Sequence, residues 1–278
     1  MRVIKAENAG ACYGVQRALD LALKASEGDG CAFTLGPLIH NPQVVSELAR
    51  RGVVAVDAPE AATHGAIIIR SHGVTPQVRR DVEAQGLPVI DATCPHVFRA
   101  QKAAAMLAER CGYVVVVGEA GHPEVEGLVA YAREAGGQVC VAQGAADLPE
   151  VLPERVGVVV QTTQTAEALA DVLAGIRARG VEPEVKDTVC FATRQRQQAA
   201  AELAGRVDAI VVIGGRNSAN TTHLAEICAA ACAKTHHVES AAEVDAAWFS
   251  GCGTVGVTAG ASTPDDQIEA VVAALEAL

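Results

Sequence analysis

The sequence predicts an α/β fold of three small lobes, each a parallel sheet covered by helices, in a pseudo-threefold, trefoil-like arrangement. Three observations lead there. One order of extended and amphipathic segments recurs three times along the chain. The extended segments are short, continuous runs of Val, Ile and Leu ended by Gly or Pro, the mark of strands buried on both faces. Helical patterns alternate with these runs, which is how parallel sheets are built. Composition agrees: 50% of the 278 residues are apolar and 20% charged, which excludes disorder. Aromatics are only 3%, so the core must consist of Ala, Val, Leu and Ile.

Each unit opens on a cysteine that follows a short extended segment. Val3-Ile4-Lys5 leads to Cys12, Val89-Ile90-Asp91 to Cys94, and Val185-Lys186-Asp187 to Cys190. Amphipathic helices follow over 14–25, 98–109 and 194–205. Strands come next at 32–37, 113–122 and 209–218, then helices at 40–52, 123–136 and 220–234. Two further strands per unit lie at 53–58 and 66–73, 138–143 and 157–165, 236–241 and 254–262. Closing helices span 75–86, 165–180 and 263–278. The third unit lacks a strand after its closing helix, and the N-terminal strand at Val3-Ile4 is expected to complete it. The expected lobes are therefore 13–93, 94–189, and 190–278 completed by 1–12.

The charge balance is −11, which argues against nucleic acid and anionic membranes as partners. No apolar run approaches the ~20 residues of a membrane span, and no secretory core follows Met1. Nine cysteines at scattered positions then read as reduced thiols of a cytoplasmic protein.

Ligands of parallel sheets sit beyond the carboxyl ends of the strands. Three lobes sharing a centre would bring Cys12, Cys94 and Cys190 to one point. Three thiolates without a fourth, and without a C-x-x-C pair, point to an iron–sulfur cluster with one open iron rather than a closed structural zinc site. Cys228 and Cys232, at helical spacing, are expected to pack. So are Cys31, Cys111, Cys140 and Cys252.

Polar loops fall at the same strand ends: Ile39-His40-Asn41-Pro42, Arg70-Ser71-His72-Gly73, Gly121-His122-Pro123-Glu124, Thr163-Gln164-Thr165, Arg216-Asn217-Ser218-Ala219-Asn220 and Gly260-Ala261-Ser262-Thr263-Pro264. With AGACYGVQRA, DATCP and CFATRQ, these loops resemble, in this order and over essentially the whole chain, the hydroxymethylbutenyl diphosphate reductase family (LytB/IspH). The resemblance implies a [4Fe–4S] cluster held by Cys12, Cys94 and Cys190 with one iron open. It implies an allylic diphosphate substrate bound by His40, His72, His122, Ser218, Asn220 and Ser262. It also implies Glu124 as proton donor, acting directly or through Thr165, His122 and the substrate's own diphosphate, with Thr165 near the substrate hydroxyl. The implied reaction is two-electron, two-proton reductive dehydration to isopentenyl and dimethylallyl diphosphates, driven by an external carrier such as ferredoxin or flavodoxin. This chain departs from the family at Ala219, where a second serine is usual, at Ala11, where Phe is common, and at Ala166, where many members have a second Thr.

The physics is compatible. These loops carry no Lys/Arg cluster, so helix N-termini, hydroxyls, amides and imidazoles must hold the anion. Hydrogen bonds to a charged group contribute about 1.5–3 kcal/mol each. Among the remaining polar residues, Arg194 and Arg196 are expected to be solvated helix residues. Thr193 is a candidate substrate contact. His64, His96, His223, His236 and His237 are assigned to surface or local bonding. Gly214-Gly215 is not a dinucleotide fingerprint, because no G-x-G-x-x-G follows the strand. Two rival readings are an iron–sulfur dehydratase of another small anion, similar to quinolinate synthase, and a non-enzymatic iron–sulfur sensor. Neither needs the His-Pro-Glu loop beside the Ser-Ala-Asn loop.

Overall fold

A computed structural model describes residues 1–27 and 30–278. It shows twelve strands among the described residues, arranged in three four-stranded parallel sheets. Sheet A has the order β1 (Arg2–Lys5), β12 (Thr254–Ala259), β10 (Ala209–Ile213), β11 (Thr235–Val238). Sheet B runs β5 (Val89–Asp91), β4 (Ala66–Ile69), β2 (Ala32–Leu35), β3 (Val53–Val56). Sheet C runs β9 (Glu184–Lys186), β8 (Gly157–Val160), β6 (Tyr113–Val117), β7 (Gln138–Ala142). The order is the same three times. The N-terminal strand does complete sheet A, with Val3 opposite Val255 and Lys5 opposite Val257.

Three helices follow the cysteines: α1 (Tyr13–Ala25), α4 (Pro95–Cys111) and α7 (Phe191–Ala204). Both α4 and α7 begin three residues earlier than the hydrophobic pattern marks. In α4 the reason is Pro95, whose fixed φ and missing N–H suit the first helical position. Three more helices follow the first strands: α2 (Pro42–Arg50), α5 (Pro123–Glu134) and α8 (Ala219–Ala231). The closing helices are α3 (Pro76–Ala84), α6 (Ala166–Ala178) and α9 (Asp265–Glu276). Short 3-10 turns after β3, β7 and β11 extend the repeat further.

The continuous apolar strands are explained by burial on two faces. In sheet C, Val115, Val117, Val158 and Val160 join one core, while Val114, Val116 and Val159 join another. In sheet A, Val211 and Ile213 face one cluster, Ile210 and Val212 the other. Fully burying such a side chain contributes about 1.5–3 kcal/mol. The chain divides into two compact units: 1–16, 40–44 and 191–278, carrying sheet A, and 17–39 with 45–190, carrying sheets B and C. No helix among the described residues is long and apolar enough to cross a membrane.

Candidate active site

In the sheet A unit, Cys12 ends a loop that leaves β1. Its N–H donates to the Ala261 carbonyl just beyond β12 (3.1 Å). Gly10 is required in this loop. It has φ +105°, and a Cβ there would lie 3.0 Å from Ile268 Cδ1. The Gly10 carbonyl accepts from Arg196 Nη2 at 2.8 Å, and Arg196 is only 4% exposed. The expectation of a solvated Arg196 is therefore wrong: its charge is spent inside, on a loop carbonyl. Arg194 is exposed, and Thr193 is buried.

The same unit ties the His40 and Ser262 loops together. Ser262 Oγ donates to the His40 carbonyl (3.0 Å), and Asn41 Nδ2 donates to the Ser262 carbonyl (2.9 Å). Asn41 Oδ1 in turn accepts from Val44 N in the first turn of α2. Ser218 caps α8 by accepting from Thr221 N. Two residues on, Asn220 is 4% exposed, and neither its Oδ1 nor its Nδ2 has a hydrogen-bond partner among the described residues. Buried amides are almost always paired, so this one points to a ligand.

In the other unit, the Cys94 N–H donates to the Ser71 carbonyl beyond β4 (2.9 Å). Arg17 donates to the Thr93 and Asp91 carbonyls, both at 3.2 Å, and so braces the Cys94 loop. Ser71 is held in turn by its hydroxyl bond to Leu38 O. The rings of His72 and His122 meet edge to face, 5.6 Å apart. His122 caps α5: its Nδ1 accepts from Glu124 N (3.1 Å), which leaves Nε2 to carry the proton of the neutral ring.

Glu124 is 1% exposed. Its two carboxylate oxygens accept from Thr162, one from the backbone N–H (2.7 Å) and one from the hydroxyl (2.8 Å). Burial pushes the carboxyl up to about 7, against the lowering effect of the two Thr162 bonds. The Thr162 carbonyl accepts from the Cys190 N–H (2.9 Å). Thr162 thus joins the acid to a cysteine loop. It was not among the residues singled out from the sequence. Thr165, expected near the substrate hydroxyl, caps α6 by accepting from Ala168 N.

All three repeat cysteines therefore make one bond: each N–H donates to the second residue beyond the third strand of a sheet. Each cysteine is half-buried, sits immediately before a helix, and takes no part in a disulfide. The other cysteines are engaged elsewhere. Cys228 and Cys232 are buried in an apolar cluster, and burial pushes the Cys228 thiol up to about 12, which disfavours the thiolate a metal needs. Cys111 ends α4, and Cys140 lies in β7. His236 stacks on Trp248, and His237 bonds the Gly214 carbonyl, as local roles require. Three soft donors on loops at helix starts are the donor set an iron–sulfur cluster takes.

These features define a class: a parallel α/β protein that carries thiols, imidazoles and one buried acid on its strand-end loops. The chain belongs to the LytB family, since the model for the LytB protein matches residues 3–276. It is 49% identical to the 4-hydroxy-3-methylbut-2-enyl diphosphate reductase of Citrifermentans bemidjiense, over 100% of this chain and 98% of that one. Against the enzyme of the same description from Pelobacter propionicus it is 48% identical, covering 98% and 96%. A solved structure of (E)-4-hydroxy-3-methyl-but-2-enyl diphosphate reductase, the terminal enzyme of the non-mevalonate pathway, is 42% identical and matches with TM-score 0.73 over both whole chains. The Plasmodium falciparum E-1-hydroxy-2-methyl-but-2-enyl-4-diphosphate reductase, 22% identical, shares the fold with TM-score 0.89, covering 98% of this chain and 87% of that one.

Proposed function

We infer that this chain removes the hydroxyl of 4-hydroxy-3-methylbut-2-enyl diphosphate by reductive dehydration. Two electrons and two protons enter, the C–O bond breaks, water leaves, and isopentenyl and dimethylallyl diphosphates form. The observation that carries the reading is Glu124: a buried carboxyl poised near neutrality on a family-matched loop. Such a group can be protonated in the resting enzyme and deliver its proton on demand.

Cys12, Cys94 and Cys190 would hold a [4Fe–4S] cluster: on the proposed lobes 13–93, 94–189 and 190–278 with 1–12, Cys94 and Cys190 open the second and third, and Cys12 immediately precedes the first. When bound, the cluster would supply one-electron transfer and a Lewis-acidic open iron. The diphosphate is assigned to His40, His72, His122, Ser218, Asn220 and Ser262. Asn220 has a buried amide to offer, and Ala219, the first residue of α8, offers an unpaired-type N–H of the helix start in place of a second serine hydroxyl. His122 presents an Nε2–H donor because its Nδ1 is engaged. Glu124 gives up its proton directly or through Thr165, His122 and the substrate's own diphosphate, with Thr165 near the substrate hydroxyl, while Thr162, whose hydroxyl touches the carboxylate, holds the acid in position. After proton transfer, the Thr162 N–H and O–H stabilise the carboxylate left behind. An external carrier such as ferredoxin or flavodoxin supplies the electrons. The nine free cysteines suit a reducing compartment and support a cytoplasmic reaction.

The test is anaerobic assay of the iron-loaded protein with reduced methyl viologen. Dye oxidation that depends on 4-hydroxy-3-methylbut-2-enyl diphosphate, with both five-carbon diphosphates as products, is the expected result. Dye oxidation with another small anion only, or none with any, overturns the reading in favour of a dehydratase or a sensor.

A further inference from the structure

Aromatic residues are scarce in this chain, yet three of them are exposed: Tyr13 at 72%, Phe98 at 41% and Phe191 at 68%. They are the exposed aromatics among the described residues, and each lies in the first turn of a helix led by a repeat cysteine. Burial does not explain them. The three helices differ in charge. In α1, Arg17 is committed to the carbonyls of the Cys94 loop. In α7, Arg196 is buried. In α7 one exposed cation, Arg194, follows Phe191, whereas α4 sets two exposed cations beside its ring. Phe98, Arg99 and Lys102 are all exposed, and Lys102, four residues after Phe98 and three after Arg99, neighbours both on the helix surface. Lys102 Nζ lies 4.5 Å from the Phe98 ring centroid, and Arg99 Nη2 is 3.0 Å from His96 Nδ1. Across its length α4 carries Arg99, Lys102 and Arg110 against Glu109, in a chain whose balance is −11. The Phe98 N–H donates to the Cys94 carbonyl (3.0 Å), so the stripe is one hydrogen bond from the backbone of a proposed ligand.

We propose that the exposed face of α4 formed by Phe98, Arg99 and Lys102 is the docking surface for an acidic one-electron carrier protein. The inference rests on the reductase reading above, because that reaction must be fed single electrons from outside. Charge complementarity selects the occupant: a cationic stripe attracts an acidic face on a partner, whereas two copies of this chain paired stripe to stripe repel. An aromatic ring flanked by cations supplies the small contact core typical of brief electron-transfer encounters. Nothing in the packing of α4 requires this face, since its apolar side, with Val97, Ala100, Ala104 and Leu107, is already buried.

The experiment compares two reductants on the iron-loaded, full-length protein: a reduced, acidic plant-type [2Fe–2S] ferredoxin and reduced methyl viologen. Arg99→Glu with Lys102→Glu is expected to raise KM for the ferredoxin about tenfold at low salt and to flatten its salt dependence. Phe98→Ala raises it less. Viologen-driven turnover and iron content stay within about twofold of the parent, because the dye needs no docking face. Arg206→Glu, an equal reversal on another exposed cation, leaves KM for the ferredoxin unchanged. An unchanged KM in the α4 variants overturns the proposal, as does an equal rise in Arg206→Glu or a parallel loss of viologen-driven turnover. Absence of viologen-driven turnover in the parent overturns the reductase reading itself, and this proposal with it.

Discussion

Glu124 and Asn220 occupy the same place in two copies of one motif. Each is the second residue of a helix that follows the first strand of its sheet, α5 in sheet C and α8 in sheet A, and each is buried. Each helix is capped by the residue two positions before, His122 or Ser218. The difference lies across the sheet, at the second residue beyond the third strand. In sheet C this is Thr162, whose N–H and O–H both reach the Glu124 carboxylate. In sheet A it is Ala261, which has no hydroxyl, and the Asn220 amide has no partner among the described residues. Both residues still accept a cysteine N–H at their carbonyl. The repeat thus keeps the cysteine anchor and varies what stands beside it. One copy holds a buried acid in place, and the other leaves a buried amide with no partner among the described residues.

The sharpest way to break this comparison is at the acid. Glu124→Gln keeps the shape and loses the proton, so turnover should fall about 10²–10⁴-fold, while cluster content and diphosphate affinity persist. Near-normal kcat in anaerobic assays would remove Glu124 from its role. The pH profile supplies a second reading. With a carboxyl at about 7, the protonated form dominates below that pH and is lost above it. The acid-dependent rate should therefore fall on the alkaline side of 7. The same shift makes folding pH-dependent. Its stabilising contribution is complete below the ordinary 4.5 and disappears as pH rises through about 7, a change on the order of 3 kcal/mol. Chemical denaturation of Glu124→Gln across that window should show the slope removed.

Next in size is Asn220→Ala. Loss of hydrogen bonds to a charged group should raise KM about ten- to hundredfold, with kcat less affected. Stability of the ligand-free protein should hold or improve, because an unpartnered buried amide costs folding energy rather than supplying it. A large drop in the melting temperature with KM unchanged would mean that Asn220 serves the fold and not the ligand.

Much of this was legible in the sequence, for identifiable reasons. Val114-Val115-Val116-Val117 reads as a two-faced strand because water is excluded from both sides of sheet C. The closure of sheet A by Val3 and Ile4 follows from counting strands in the repeat. Positions that depend on register were not legible. The Gln161-Thr162-Thr163-Gln164-Thr165 run offers three hydroxyls, and only the exact end of β8 decides that Thr162 meets Glu124 while Thr165 caps a helix. Arg196 sits on a weakly amphipathic helix and reads as solvated. Its partner is the carbonyl of Gly10, 186 residues away in the chain and of a kind that leaves no trace in composition. The open amide of Asn220 is likewise invisible, since a missing partner has no sequence signal.

The smallest effects test the comparison from both sides. Thr162→Val keeps the shape and the backbone N–H but removes the hydroxyl from Glu124. One of two lowering bonds is lost, so the carboxyl should rise further and the alkaline limb of the rate profile should move upward in pH. With the acid held by one bond instead of two, kcat should fall about tenfold. The reciprocal change, Ala261→Thr, places a hydroxyl where sheet C has one. If the repeat equivalence is physical, this hydroxyl pairs with Asn220 and competes with the ligand. A neutral hydrogen bond is worth about 0.5–1.5 kcal/mol, so KM should rise only a few-fold. In the Asn220→Ala background the same change should do nothing, and the non-additivity of that double-mutant cycle measures the pairing directly. Equal effects of Ala261→Thr in both backgrounds would show that the hydroxyl merely crowds the Cys12 loop, and the two helix positions would no longer count as equivalent.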